Sequence, residues 1–303
     1  MDVVVVGAGI AGLSCARALV DGGARVRVVE RGRVVGGRLA SKRYDGRYAD
    51  IGAAYLVADD PAFEAQVASW ESRGLARPWT DTLRVYPGGA PSSGPVRWAA
   101  PGGLRSLASD LADGLDIALN TSLDALPVNA NVDADAVVLA MPGPQALRLN
   151  PPPGIVAAAT AQTWHPVIAA VLTYPSRAWG DLRGAFVNEH PVLATVCDDG
   201  DRRGDRAPVL VAHSTATLAA AHLDSPATAG PIIADAVGEL LGLPAPARID
   251  VHRWTYAQPE PRSGGYAVDG DVWLCGDAFG RPRVQTAWLS GRATAQALLG
   301  GAR

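Results

Sequence analysis

Hydrophobic positions along this chain switch between two periods, and the switch is sharpest near its start. Residues 3–6 are four consecutive valines, the mark of a strand buried on both faces of a parallel sheet. Apolar residues at Leu13, Ala16, Leu19 and Val20 then recur at helical spacing, and Gly22-Gly23 ends that helix. Residues 26–29 read as a second strand, closed by Glu30. Between the first strand and the helix stand Gly7, Gly9 and Gly12. The first allows a tight turn, the second lets backbone approach a pyrophosphate, and the third lets helix and strand pack closely. Ile10 and Ala11, between those glycines, join the candidate binding set. Glu30 lies 23 positions after Gly7, where an acid that binds a ribose is expected. Strand, glycine loop, helix, strand and terminal acid in this order predict a dinucleotide-binding unit.

The pattern continues with less definition. Gly102-Gly103-Leu104 opens an amphipathic helix, residues 116–126 read as a strand pair, and residues 134–142 as a buried strand that includes Ala140. Residues 166–173 and 208–212 read as strands, 216–223 and 231–241 as helices. Residues 271–275 form a last strand, followed by Gly276-Asp277, a loop through Arg283 and a helix over 284–299 that stops at Gly300-Gly301. The run Pro151-Pro152-Pro153-Gly154 resists continuing a helix or a central strand and marks a crossing between lobes; Gln258-Pro259-Glu260-Pro261 marks the return. Residues 87–95, rich in proline and glycine, read either as an excursion over a site or as a surface loop.

Composition narrows the classes. At 303 residues the chain exceeds the usual size of one core, so two lobes are expected. A net charge of -3 gives no reason to expect nucleic acid or an anionic membrane as partner. Cys15, Cys197 and Cys275 are widely spaced and lack metal-ligand spacing, so they read as small buried residues and no metal is expected. No apolar run approaches the roughly 18 residues of a membrane span. The first strand starts almost at Met1, leaving no room for a secretory leader, and a cytoplasmic location is expected.

A second signature follows Glu30. The stretch from Arg31 to Arg38 contains Gly36-Gly37, which permits close backbone approach, and Arg38, whose planar donors suit phosphate oxygens. Gly52-Ala53-Ala54-Tyr55 is a small-residue segment able to lie flat against a ring. Asp277 sits at a strand's C-terminal end, where open parallel sheets bind ligands. The positive end of the helix that follows would stabilise an anion there.

These residues together resemble the two-dinucleotide-binding-domain flavoproteins of the amine-oxidase branch, and within it the renalase-type enzymes. Family-like stretches are Gly52-Ala53-Ala54-Tyr55, His252-Arg253-Trp254-Thr255-Tyr256-Ala257 and Arg283-Val284-Gln285-Thr286-Ala287-Trp288-Leu289-Ser290-Gly291. The resemblance implies an α/β, two-lobed Rossmann-like fold with an α+β substrate domain built on a mostly antiparallel sheet. It implies a discontinuous FAD-binding domain of residues 1–75, 98–155 and 260–303, and a substrate domain of 76–97 and 156–259. The cofactor implied is FAD, held non-covalently, since Cys275 precedes Gly-Asp inside a buried strand. Leu123 would lie near the adenine, and Ala140, Ala287 and Trp288 join the cofactor-binding set. The implied chemistry is hydride transfer to flavin N5, with dioxygen as electron acceptor. The implied substrate is a dihydronicotinamide dinucleotide reduced at ring position two or six, returned to NAD(P)+ as metabolite repair. His213, Tyr256, Trp288 and Trp164 are candidates to contact that substrate, with Tyr266 as a further aromatic.

The chain departs from the family pattern. Ala54 stands where glutamine is usual, Val57 and Asp59 where polar or basic residues are usual, and Gln285 where a glutamate is common. Two other readings therefore stay open: a flavoenzyme acting on an amine or unsaturated substrate, and a catalytically silent FAD-binding protein. Against the amine reading, the only lysine, Lys42, is poorly placed to stand near N5.

Overall fold

The computed structural model describes residues 1–126 and 134–301. The expected ranges 98–155 and 260–303 extend across residues outside this description. Strand β1 (Asp2–Val6), helix α1 (Ile10–Asp21) and strand β2 (Arg25–Val29) form the expected unit, with β1 and β2 parallel and Val3 opposite Val26. A short antiparallel ribbon follows, β3 (Ser41–Tyr44) and β4 (Arg47–Asp50). Helix α2 (Pro61–Ser72) buries Phe63, Val67 and Trp70 at helical spacing, and its start carries a chemical signal. The Asp60 carboxylate accepts from the Ala62 and Phe63 amides at 2.9 and 3.3 Å, and Pro61 fills the first helical position, where its missing N–H has no intrahelical partner to lose.

Three expectations need correction. Residues 90–95 are not loop, because β5 (Arg77–Tyr86) and β6 (Ala90–Ala99) form a hairpin. β6 lies at a sheet edge, where Pro91 and Pro95 remove no shared ladder bond. Helix α3 (Leu104–Ala112) begins where expected, but of the strand pair over 116–126 only β7 (Asp116–Ala118) forms. The Asn120 and Thr121 amides instead donate to the Gly32 and Glu30 carbonyls, at 3.0 and 2.9 Å, binding this stretch to the loop after β2. After β8 (Ala136–Leu139) and α4 (Gly143–Ala146), the proline run starts helix α5 (Pro153–Thr160) rather than only breaking structure. Pro152 is its cap and Pro153 its first residue, a position preorganised for proline's φ.

The chain then builds β9 (Trp164–Thr173), β10 (Gly184–Val187), β11 (Leu193–Asp198), the short α6 (Asp199–Arg203), β12 (Val209–Ser214), α7 (Ala216–Ala221), α8 (Ala229–Leu241) and β13 (Arg248–Pro259). It returns through β14 (Tyr266–Asp269) and β15 (Val272–Cys275) and ends in α9 (Val284–Gly301). Two large sheets result. The six-stranded sheet runs β14-β15-β8-β1-β2-β7 and is parallel apart from edge strand β14. The seven-stranded sheet runs β13-β9-β12-β11-β10-β5-β6 and is antiparallel except where β10 meets β5. This is the expected α/β architecture with a mostly antiparallel second sheet.

The four valines show how period two positions the layers. Val3 and Val5 pack with Leu13, Leu104 and Trp288 on one face of the parallel sheet; Val4 and Val6 pack with Leu139 and Ile155 on the other. The same alternation governs β12. Leu210 and Ala212 face Ile233 and Val237 of α8, while Val209 and Val211 face Ala49 and Ile51 beyond the ribbon. That second face therefore covers the segment after β4. Among the described residues, no helix is long and apolar enough to cross a membrane.

Candidate active site

The glycine loop is held by close approach. A Cβ on Gly12 would lie 2.0 Å from the Gly7 carbonyl oxygen, so only glycine lets α1 start against β1. Beside Gly9 there is open space, and the first turn of α1 has neither a side-chain cap nor an acidic residue. Its amides are thus free for an anion. Glu30, just past β2, accepts from the Ala8 amide at 2.8 Å and the Gly32 amide at 2.6 Å. An ionised carboxylate has about four acceptor sites, so a ribose hydroxyl can add to these two bonds. The loop and Glu30 fit a dinucleotide.

Arg38 joins the two sheets. Its guanidinium donates to both Asp277 oxygens at 2.7 and 2.5 Å and to the Ala257 carbonyl at 3.0 Å, and lies 5.1 Å from the Trp164 ring centre. Trp164 and Tyr256 meet edge to face at 6.4 Å. The expected phosphate partner and the expected Gly-Asp residue are thus paired with each other, at the mouth between the sheets.

Gly52-Ala53-Ala54-Tyr55 runs on from β4, and its shape depends on two arginines. A Cβ on Gly52 would fall 1.9 Å from the Arg38 carbonyl oxygen, and the Ala53 amide donates to that oxygen at 2.9 Å. On the other side, Arg202 of α6 donates to the Ala54 carbonyl at 2.9 Å and the Asp50 carbonyl at 2.8 Å. Arg202 is 1 % exposed and pairs with the fully buried Asp199 at 2.6 Å. Burial works against the Arg202 charge, but Asp199 and Asp50 outweigh it and its pKa rises. Arg202 lies in the charged run from Asp198 to Gly204. The alternation of acids and arginines there was the available signal.

The face of the antiparallel sheet above this segment carries His213. His213 lies opposite Thr195 of β11, which lies opposite Phe186 of β10, so the three side chains share one face. Among the described residues the His213 Nε2 is buried with no hydrogen-bond partner, with the Ile51 backbone beside the ring. Burial, reinforced by Arg202, lowers the imidazole pKa to about 4, so it is neutral in the folded protein. Trp254 reaches the same segment, donating to the Ile51 carbonyl at 2.8 Å.

Other candidates fall elsewhere. Trp288 is a core residue, buried 5.3 Å from Phe63, and does not join the Trp164–Tyr256 group; the apolar period of α9 points it inward. Ala287 is buried in the same core, with Ile10 and Ala11. Tyr266 packs on Trp273, at 5.2 Å. Leu123 packs partly buried on the core behind the parallel sheet, Ala140 closes on Gly7, and Arg31 is exposed. Asp59 and Gln285, noted as departures, bind each other, with Gln285 Nε2 donating at 2.6 Å.

This fold and site define a dinucleotide-binding α/β protein with a second sheet over the binding segment. The NAD(P)-binding Rossmann-like domain profile matches residues 5–69, and the flavin containing amine oxidoreductase profile matches residues 58–299. The chain belongs to the flavin containing amine oxidoreductase family. It is 46% identical over 63 residues to an L-amino-acid oxidase of Siganus canaliculatus and 48% identical over 66 residues to a putrescine oxidase of Kocuria rosea. Those matches cover 20% and 22% of this chain, and only 12% and 14% of the relatives. Among solved structures it is similar to a protein assigned as a protoporphyrinogen oxidase from Exiguobacterium sp. 255-15, with TM-score 0.77 and 15% identity over 99% of both chains. It is similar also to a putrescine oxidase bound to putrescine, with TM-score 0.72 and 17% identity over 99% of both chains.

The cofactor is FAD, bound non-covalently. The cysteines agree with this. Burial raises the Cys15 thiol well above its usual range and Cys275 to about 12, leaving little thiolate for attachment.

Proposed function

We propose that the chain is an FAD-dependent oxidase, with a dihydronicotinamide dinucleotide reduced at position two or six as its substrate. What carries this reading is the stack of parts. The Gly52–Tyr55 segment is fixed from below by Arg38 and from above by Arg202, and lies under the sheet face that bears His213 and Trp254. FAD held here would supply the hydride acceptor at N5, with dioxygen as the final electron acceptor. The chain's own residues bind and orient. The α1 amides and Glu30 hold pyrophosphate and ribose; Arg38 and Asp277 stand at the next part of the cofactor. His213, neutral, offers a polar contact to the substrate, with Trp164 and Tyr256 as an aromatic wall at the mouth. Hydride transfer depends on holding donor carbon and acceptor together and needs no protein nucleophile. In this reading residues 1–75, 98–155 and 260–303 form the FAD-binding domain, with the remainder forming the substrate domain in the cytoplasm.

A second reading, oxidation of an amine or amino acid, draws on the names of the two sequence relatives. Anaerobic reduction of the purified holoenzyme separates the two. Isomeric dihydronicotinamides should bleach the flavin within mixing time while primary and secondary amines leave it oxidised, and air should restore the colour. Bleaching by amines alone would exclude the dinucleotide reading, and a colourless protein that cannot take up FAD would exclude both.

A further inference from the structure

Arg97 of β6 is 7 % exposed, and no carboxylate neutralises it among the described residues. One terminal nitrogen, Nη1, donates to the Asp81 carbonyl at 2.8 Å and reaches the Pro95 carbonyl at 3.5 Å, while Nε is buried without a partner. The other buried arginine beside this segment, Arg202, is neutralised by Asp199. Burying a guanidinium without a counter-charge is costly, and such groups are ordinarily paired.

Its position joins it to the site. The guanidinium carbon lies 5.4 Å from the Tyr55 ring centre and 5.7 Å from that of Phe186. Tyr55 ends the Gly52–Tyr55 segment, and Phe186 begins the row that continues through Thr195 to His213. Two inter-strand spacings, roughly 10 Å, separate Phe186 from His213 along that row. Arg97 thus stands at one end of the covered face, with a buried polar atom lacking a partner at each end: its own Nε and His213 Nε2. The phenol of Tyr55 is pushed up chiefly by burial, while Arg97, within hydrogen-bond reach of it, pulls the other way.

We infer that Arg97 is the anion-binding residue of the substrate pocket, and that the substrate carries a carboxylate or phosphate which its guanidinium receives between Tyr55 and Phe186. The inference rests on the oxidase reading and deepens it by naming the substrate's charge. A planar guanidinium with free donors binds either anion directionally, and its charge repels an ammonium group at the same point. A substrate built only of amines and methylenes is therefore disfavoured.

The test compares four ligands that share a benzene ring and differ in the attached polar group: benzoate, phenyl phosphate, benzylamine and benzyl alcohol. Each is titrated into the holoenzyme while the visible flavin band and tryptophan fluorescence are both followed. Trp79, 6.2 Å from Tyr55, reports on this end of the pocket whether or not flavin is present. Benzoate or phenyl phosphate should saturate at concentrations about tenfold or more below the amine and the alcohol, and R97M should remove that preference while R97K keeps part of it. Which anion binds tighter distinguishes carboxylate from phosphate. Equal or tighter binding of benzylamine to the wild-type protein overturns the inference, as does unchanged anion affinity in R97M. The wild-type comparison decides even if R97M fails to fold. A yellow protein without anion preference refutes the role of Arg97 alone. A protein that takes up no FAD refutes the oxidase reading, and the fluorescence arm still judges Arg97.

Discussion

Two arginine–aspartate pairs flank the Gly52–Tyr55 segment, and they do opposite things with similar chemistry. Arg202–Asp199 is sealed, with side chains 1 % and 0 % exposed, and Arg202 also donates to the Asp50 and Ala54 carbonyls. Arg38–Asp277 lies at the mouth, with 30 % and 10 % exposure, and water or a ligand can replace either partner. A sealed pair is fixed because every alternative leaves a buried charge unpaired. An open pair is interchangeable. The first therefore acts as scaffold for the segment, and the second as a contact that an incoming anion can share.

The largest expected effect is at the scaffold. R202M leaves Asp199 with Arg47 alone and strips the buried Asp50 and Ala54 carbonyls of their donor, which should destabilise the protein by about 3 kcal/mol. Urea denaturation should show a lower midpoint with unchanged slope. A loss under 1 kcal/mol would mean that the 50–54 backbone stands without it.

Next comes His213, beside the same scaffold. Its folded pKa of about 4 lies below its unfolded value of 6.5, so the unfolded chain takes up a proton first as pH falls. Stability from the neutral ring is complete above pH 6.5 and declines towards pH 4, by at most about 3 kcal/mol. H213Q should flatten that part of the stability–pH curve while leaving the neutral plateau where its own packing puts it. An equally steep acid limb in the variant would place the titration elsewhere.

The difference between the two pairs also marks what was legible in the sequence. Gly7, Gly12 and Glu30 announce themselves because local spacing fixes their geometry, and β1, α1 and β2 form as the pattern implies. Gly52 is similar: a small residue is required where the Arg38 carbonyl comes within reach. Arg202 and Arg97 were not legible as site residues because what ties them to the segment is distant in sequence, 148 positions from Arg202 to Ala54 and 42 from Arg97 to Tyr55. Trp288 shows a different kind of signal. Its neighbours looked family-like, yet helical periodicity alone directs it to the core against Phe63. Prolines misled where position mattered more than identity, at the first turn of α5 and along edge strand β6.

The smallest effect on the fold itself is expected at Arg38, and it sharpens the comparison most. R38M leaves the Asp277 side chain, 10 % exposed, without its arginine, so the apoprotein should lose about 1–2 kcal/mol, less than R202M. Its deficit should instead appear with ligand. Added FAD stabilises a folded protein by RT ln(1 + L/Kd), where L is the free FAD concentration, so a weaker site gives a smaller rise in melting temperature at the same concentration. Melting apo R38M and wild type with and without FAD separates the two contributions. A small apo loss with a reduced FAD-dependent rise fits an open pair that serves the cofactor. An apo loss as large as that of R202M would make Arg38–Asp277 a second scaffold, and the distinction between sealed and open pairs would fail despite their different exposure.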